Sequence, residues 1–325
     1  MTYDAIIVGG GPAGCNAALI LGRCRRNVLI VDAQQPRNQS SDALHGFLSR
    51  DGQPPRDVMR QAWADLSPYE TVHRDHSFVT DVARNAGGFC LTLADGREVT
   101  GHKLLLATGA VDRLPQLPRF GEFYGKTVHT CPYCDAWEHR DQPMSVYGFA
   151  SRAVSLAQML QRWSNDITLC SDGRSDFTRS ECDALKACGI ALIEKPIATL
   201  SGSGSKLDGI VFRDGSRLDC VTMFTALGLE CRSTLFDRLG CERDKDGSLI
   251  IDPVSEETTA SGVYAAGDAS RDVLLVVVAA AEGAKAAIAI DRALVKIHEK
   301  KAAVAAAPGP RVADHRVISG VTGLS

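Results

Sequence analysis

The sequence predicts an α/β protein with two nucleotide-binding-type domains, because it repeats one structural plan twice. The first copy starts with the apolar run Ala5–Val8, typical of a buried parallel strand, and continues through a glycine-rich turn, a helix and a second strand that ends at Asp32. The second copy starts with a strand at Met144, followed by a helix over 151–163 and a strand over 167–170. Each copy then has a small antiparallel insert and an apolar strand that ends in Thr-Gly or Leu-Gly. Such a duplication indicates two domains of related architecture.

Composition and charge exclude several classes of protein. The 325 residues are 45% hydrophobic and 23% charged, which suits a globular enzyme of about two domains. A net charge of −3 does not favour nucleic acid as a partner. The apolar stretch 273–281 ends at Glu282, well short of the roughly 20 residues that a membrane-spanning helix needs. No basic, cleavable segment precedes the first strand, so we expect no membrane partner and a cytoplasmic location.

A glycine-rich turn, Gly9-x-Gly11-x-x-Gly14, joins the first strand to the first helix. Gly9 permits the tight turn, Gly11 lets the backbone approach a pyrophosphate, and Gly14 lets the helix pack closely on the strand. The N-terminus of the helix then faces the phosphates with the positive end of its dipole. Asp32 is placed to accept a hydrogen bond from a ribose hydroxyl. In this context the motif predicts a dinucleotide site rather than a glycine-rich turn without a ligand.

Two other strand ends are expected at the same edge of the sheet. One is Ala107-Thr108-Gly109, and the other is Gly267-Asp268 after the strand that begins at Gly262. Ligands bind at the carboxyl edge of open α/β sheets, so these residues are candidates for cofactor contacts. A Gly-Asp pair alone is a common turn, and only its position after the second domain points to a binding role.

The catalytic candidate is Cys131-Pro132-Tyr133-Cys134. Among the 11 cysteines, only this pair has the Cys-x-x-Cys spacing of redox-active disulfides. Two intervening residues allow a disulfide, and a helix that starts there would lower the pKa of the first thiol. Zinc is the main alternative, but a structural zinc site usually needs a second ligand pair. Only His129 and His139 lie nearby, so we expect no metal. Asp135 is a candidate proton shuttle, although an exposed carboxylate at the start of a helix is a competing interpretation.

In their order along the chain, these motifs resemble the low-molecular-weight thioredoxin reductases, a class of pyridine nucleotide-disulfide oxidoreductases. The resemblance implies two Rossmann-like, three-layer (ββα) nucleotide-binding-type domains, the second inserted in the first. The FAD-binding domain would comprise residues 1–114 and 248–325, and the inserted domain residues 115–247. Within the second segment of the FAD-binding domain, the alanine-rich stretch and Pro-Gly-Pro of residues 300–325 predict a flexible tail.

The resemblance also implies roles for individual residues. Cys134 would face the flavin as a thiolate, Cys131 would attack the external sulfur, and Asp135 would be the acid/base. Family members are homodimers. The loop residues Asn38 and His45 are candidates for a wall of the flavin site, with surface packing as the alternative. The expected FAD-binding residues are Gly9, Gly11, Pro12, Ala13, Gly14, Asp32, Ala107, Thr108, Gly109, Gly267, Asp268, Asn38 and His45.

The inserted domain departs from the reductase pattern where NADPH would bind. Its glycine motif reads Gly148-Phe149-Ala150, so Ala150 replaces a glycine that allows close phosphate approach. After the next strand, reductases carry a basic cluster for the 2′-phosphate; here Arg174 is accompanied by Asp172, which would repel a phosphate. After Gly267-Asp268 the reductases have an Arg-Gln pair. Here the stretch 269–273 differs, and the site wall is remodelled with the more apolar residues 273–278.

An impaired NADPH site beside intact FAD and cysteine motifs changes the expected direction of electron flow. The pattern is similar to the flavin-dependent dithiol oxidases of natural-product biosynthesis, which close the disulfides of holomycin, gliotoxin and romidepsin-type compounds. The segments 45–48 and 279–283 also resemble their bacterial members. We therefore predict an oxidase for a small-molecule dithiol with O2 as acceptor. An NAD(P)H-dependent reductase is the alternative, and a non-enzymatic flavin-binding redox sensor is a third hypothesis.

Overall fold

The computed structural model describes residues 2–174, 176–245, 247–270 and 273–306. Its strands are β1 (Thr2–Val8), β2 (Val28–Val31), β3 (Val72–Asp75), β4 (Val79–Asn85), β5 (Gly88–Leu93), β6 (Glu98–Leu106), β7 (Ala110–Asp112), β8 (Val128–His129), β9 (Met144–Tyr147), β10 (Ile167–Cys170), β11 (Ala191–Ile193), β12 (Ile197–Ser203), β13 (Lys206–Phe212), β14 (Arg217–Asp219), β15 (Thr222–Thr225), β16 (Leu229–Cys231) and β17 (Val263–Ala265). Its α-helices are α1 (Pro12–Arg23), α2 (Pro55–Leu66), α3 (Phe120–Phe123), α4 (Pro132–Asp135), α5 (Ala150–Leu160), α6 (Arg179–Ala187), α7 (Leu235–Arg238) and α8 (Val276–Ala306).

The first domain is built on a sheet with the order β3-β2-β1-β6-β5-β4, in which β17 also pairs with β6. The long strand β6 runs antiparallel to β5 through its first half and parallel to β17 through its last residues. Side chains of β1 alternate between two cores, because successive residues of a strand point to opposite faces. Ala5 and Ile7 pack with α1 and α8 on one face, while Ile6 and Val8 pack with β4, β5 and α7 on the other.

The second domain repeats this plan with a parallel sheet in the order β11-β10-β9-β15-β8. A separate antiparallel sheet, β12-β13-β14, packs over one of its faces, and α5 packs on the other. The strands β9 and β15 are fully buried although they contain Ser145, Thr222 and Thr225, because both faces of this parallel sheet are covered. The predicted α/β class with two related nucleotide-binding-type domains is therefore confirmed.

The second domain is inserted in the first, since β17 and α8 return to the first sheet after it. The chain passes between the domains twice, at β7 and at β16. These two strands pair with each other as an antiparallel ribbon, with Leu229 opposite Asp112. Phe236 of α7 is fully buried in the core of the first domain. The return crossing therefore lies at β16, earlier than the predicted boundary at residue 247. The sequence gives no clear signal there because α7 has only four residues.

Two elements go beyond those that the sequence predicts. The edge strand β3 is too short and too exposed to show a periodic pattern in the sequence. Helix α8 continues to Ala306, so the first residues of the predicted tail, 300–306, are helical. Residues 307–325 lie outside the described part of the chain, as do Arg271 and Asp272 of the predicted site wall. Within the described residues, no helix is both long enough and apolar enough to cross a membrane.

Candidate active site

The carboxyl edge of the first sheet and the cysteine pair face one cavity of about 640 Å³. At one end of this cavity, β1 turns through the glycine loop into α1. Gly9 has a φ of +106°, and a Cβ on it would lie 2.1 Å from the carbonyl oxygen of Ala107. A Cβ on Gly14 would lie 1.9 Å from the carbonyl oxygen of Gly9, whereas one on Gly11 would meet no atom within 4 Å. Gly9 and Gly14 thus pack the turn closely, and Gly11 leaves open space where phosphates are expected.

Asp32 lies beside this loop at the end of β2. Its Oδ1 accepts a hydrogen bond from the backbone N–H of Gly10 at 3.1 Å, and its Oδ2 lies 3.4 Å from Nη2 of Arg74. The Arg74 guanidinium stacks over the Trp63 ring at 3.4 Å from the ring centroid. All of these residues line the cavity. The sequence predicted Asp32, whereas no motif marks Trp63, and Arg74 lies on β3, a strand that the sequence did not predict.

The residues that follow β6 and β17 also line the cavity. Thr108 lines it, and the buried Thr108 Oγ1 has no hydrogen-bond partner in the described structure. Asp268 binds Arg37, whose guanidinium also binds Asp112, at 2.7 Å and 3.0 Å respectively. Burial alone would lower the pKa of Arg37, but the two carboxylates outweigh it and raise that pKa above its usual value. The sequence analysis missed Arg37, since only the folded chain brings three distant segments together.

At the other end, Cys131 and Cys134 form a disulfide and both line the cavity, as does Asp135. Cys131 is the N-cap residue of the short helix α4. Asp135 Oδ1 lies 3.3 Å from Nδ1 of the buried His129. The described residues contain no cluster of three or more His, Cys, Asp or Glu side chains that could hold a metal ion.

Asn38 and His45 also line the cavity. The His45 ring lies between two carboxylates, with Nδ1 at 3.4 Å from Asp51 Oδ2 and Nε2 at 3.6 Å from Glu138 Oε1. Glu138 belongs to the inserted domain. His45 therefore connects the cavity-wall loop to the segment that follows the cysteine pair.

The cavity fits FAD. Its glycine loop opens at Gly11, the N-terminus of the 12-residue helix α1 faces it, and Asp32 is available at its edge. The orphaned Thr108 Oγ1 provides a buried hydroxyl that a ligand would satisfy. A single cavity joins this loop to the disulfide, so a cofactor held by the loop would reach Cys131 and Cys134.

At the corresponding edge of the inserted domain, Phe149 of the glycine motif packs against side chains of its own domain. Ala150 has a φ of +51°, in the left-handed region that favours glycine. The Arg174 guanidinium stacks on the Phe149 ring at 3.9 Å, and the Tyr147 ring meets Phe149 edge-on. Tyr147 donates a hydrogen bond to Asp172, and burial together with this carboxylate raises the pKa of Tyr147 to about 12.

Comparison with known proteins identifies relatives over nearly the whole chain. Residues 3–283 match the family described as pyridine nucleotide-disulphide oxidoreductase. The structure resembles the crystal structure of HlmI with a TM-score of 0.90 and 35% identity, covering 94% of this chain and 96% of that one. It resembles a putative thioredoxin reductase TrxB from Bacillus anthracis with a TM-score of 0.86 and 30% identity, covering 91% and 99%. The thioredoxin reductase of Aquifex aeolicus is 30% identical over 310 residues, 90% of this chain and 93% of the relative.

Proposed function

The chain belongs to the pyridine nucleotide-disulphide oxidoreductase family, and on that premise we propose that it is a dithiol oxidase. It is a flavin-dependent thiol/disulfide oxidoreductase of the thioredoxin reductase type, and its cofactor is FAD. The proposed reaction closes an intramolecular disulfide in a small-molecule dithiol from natural-product or antibiotic biosynthesis. O2 takes the two electrons and the two protons and becomes H2O2, and NADPH is not required.

The observation that carries this proposal is the side-chain packing at the nucleotide edge of the inserted domain. A nucleotide pyrophosphate needs a glycine-lined backbone that it can approach closely. Phe149 and Ala150 stand in the glycine motif instead, and the exposed Arg174 stacks on the Phe149 ring. Asp172 adds a negative charge beside them. Without a productive nucleotide site, electrons have to enter the flavin from the dithiol side.

The orientation of the two domains supports a small substrate. We call the first-domain segment 37–45 the latch, because its residues contact the inserted domain near the cysteine pair. Arg37 Nη2 lies 3.5 Å from Thr130 Oγ1, and Asp42 pairs with Lys126. A Cβ on Gly125 would lie 2.7 Å from Cβ of Ser40, so backbone and side chain are in close contact there. The disulfide is thus held against the cavity, where a small dithiol has better access than a protein.

In the proposed reaction, the residues of this chain carry out thiol–disulfide exchange. One substrate thiol loses its proton to Asp135 and its sulfur bonds to Cys131, while Cys134 leaves as a thiolate. The second substrate thiol attacks the mixed disulfide, releases the product and leaves the pair reduced. Bound FAD would accept the two electrons from the pair and donate them to O2. We also propose that the enzyme works as a homodimer in the cytoplasm.

Aerobic turnover of dithiothreitol tests this proposal and is our first prediction. The wild-type protein should consume O2 and form one H2O2 per dithiol oxidised. Cys131→Ser and Cys134→Ser should each lower the rate by at least about 10³-fold, since each removes one half of the disulfide that the substrate dithiol reduces. Cys24→Ser, at an exposed cysteine outside the cavity, is the matched control and should keep the rate. Dithiol oxidation that survives in the Cys131,Cys134→Ser double variant would disprove the mechanism.

A further inference from the structure

His129 is a buried ionisable side chain that the mechanism above does not use. It ends β8, its exposed fraction is 6%, and its ring packs against Phe224. One ring nitrogen, Nδ1, lies 3.3 Å from Asp135 Oδ1. The other, Nε2, lies 3.3 Å from Nε2 of His139. From the sequence, these two histidines were considered only as possible metal ligands.

The three side chains form a continuous line from the cavity to the surface. Asp135 and His129 line the cavity next to Cys134. His139 is partly exposed, in a 3-10 turn whose other two residues, Trp137 and Glu138, are exposed. A buried imidazole with a carboxylate at one nitrogen and a second imidazole at the other can move a proton by exchanging tautomers.

We propose that His129 and His139 relay the proton that Asp135 removes from the substrate thiol from the cavity to bulk water. The inference rests on the proposed direction of the reaction, in which a dithiol reduces the cysteine pair. His129 and His139 act through Asp135 and do not touch the reacting sulfurs, so both are positioning and proton-transfer residues.

The proton balance of the half-reaction explains why one proton has to leave the cavity. The substrate loses two electrons and two protons as its S–S bond forms, and the two electrons break the Cys131–Cys134 bond. One proton stays on Cys131, because Cys134 remains a thiolate. The other passes from Asp135 to Nδ1 of His129, from Nε2 of His129 to Nε2 of His139, and from Nδ1 of His139 to water. Each histidine ends in the opposite tautomer, and exchange with water restores it.

The surroundings suit this role. Burial and the neighbouring His129 lower the pKa of His139 to about 4, so its ring is neutral near pH 7 and has a nitrogen free to accept. Tyr124 also lines the cavity and donates its hydroxyl hydrogen to Asp112 at 2.6 Å. This hydroxyl hydrogen is therefore not directed at Asp135. Glu138, beside His139, faces His45 instead of the relay.

The test is stopped-flow reduction of the oxidised holoenzyme by dithiothreitol without O2, followed by flavin absorbance and by a pH-indicator dye for released protons. In His139→Gln and His129→Gln, we expect disulfide reduction and proton release to slow together by about tenfold, less than the 10²–10⁴-fold cost of removing a direct acid or base. Imidazole at high concentration should restore most of the rate in His139→Gln, whose site is open to solvent. His102→Gln, at a partly exposed histidine of the first domain outside the cavity, is the control and should match the wild type.

Normal rates in both variants, or a slow His139→Gln variant that imidazole does not rescue, would overturn the relay. Circular dichroism and flavin content identify a variant that has simply misfolded, and His129→Asn then provides a second substitution. Dithiothreitol reduces the cysteine pair whichever direction is physiological. Failure of the proposed oxidase would therefore appear separately, as wild-type enzyme that does not turn over with O2.

Discussion

At the scale of single residues, Trp63 and Arg74 give the FAD cavity a wall that the glycine motif alone does not provide. The nearest ring atom, Cζ2 of Trp63, lies 2.5 Å from where a Cβ on Gly10 would be, so the indole packs directly on the glycine loop. Arg74 stacks on the Trp63 ring and reaches Asp32. This arrangement places an aromatic surface and a cation beside the expected ribose contact.

Our second prediction concerns this wall. Trp63→Ala should weaken FAD binding by about tenfold or more, because it removes a stack worth roughly 1–2 kcal/mol when partly desolvated. The measurement is the FAD dissociation constant of the apoprotein by fluorescence quenching. Trp137→Ala, at a ring that is 62% exposed and outside the cavity, should bind FAD as the wild type does. An equal FAD dissociation constant in both variants would show that Trp63 does not contribute to FAD binding.

At this scale the sequence predicted residues that act through local motifs. Gly9, Gly11 and Gly14 are adjacent in sequence and in space, as are Cys131 and Cys134, so their spacing reveals them. Arg37 meets Asp112 and Asp268 only after three separate strand ends converge. Such long-range pairs leave no trace in a single sequence.

At the scale of elements, the start of α5 differs most from a nucleotide-binding turn. Ala150 adopts a left-handed conformation at the first residue of the helix, which costs a residue with a Cβ about 1–2 kcal/mol. Phe149, the residue before Ala150, is held by the stack of Arg174 on its ring. The proposed loss of nucleotide binding would therefore depend on side chains as well as on the missing glycine.

The third prediction follows from this strain. Ala150→Gly should raise the free energy of unfolding by about 0.5–1 kcal/mol, since glycine adopts this φ without a steric penalty. It should not allow NADPH to reduce the flavin, because Phe149 and Arg174 remain. Ser151→Gly, the next position in the helix, should instead destabilise by up to about 1 kcal/mol. Thermal unfolding and flavin absorbance measure both effects, and NADPH reduction in Ala150→Gly would show that position 150 alone blocks the site.

At the scale of the whole molecule, the latch joins the two domains in one orientation. Its charged pairs are partly exposed and are worth little individually, about 0–1 kcal/mol each. The contact of Gly125 with Ser40 is different, because it is a close packing contact at a residue whose φ is +76°. We therefore expect this packing contact to contribute more to the orientation than either ion pair.

Gly125→Ala provides the fourth prediction. The added Cβ clashes with Ser40 and strains the backbone, so the domains should separate and dithiol-driven flavin reduction should slow by about tenfold, for a cost near 1–2 kcal/mol. FAD affinity should change little, since most of its expected ligands lie in the first domain. Gly121→Ala is the matched control, because a Cβ there meets no atom within 4 Å. Unchanged reduction in Gly125→Ala would mean that the latch does not set the position of the disulfide.

The two-domain plan was predictable because each half carries its own strand–turn–helix pattern. The return crossing at β16 was not, because its three residues pair with β7 across a gap of more than 100 residues. The edge strand β3 was missed for a similar reason, since its parallel pairing with β2 depends on tertiary context rather than on an alternating pattern.

The central claim is that electrons enter this flavoprotein from a dithiol and not from a nucleotide. Mixing the purified holoenzyme without O2 with excess dithiothreitol, and separately with excess NADPH or NADH, tests it through the flavin absorbance near its visible maximum. We predict rapid bleaching by the dithiol and none by either nucleotide. Rapid bleaching by NADPH or NADH would contradict the claim and identify a reductase whose loop at Phe149 and Ala150 still binds its nucleotide.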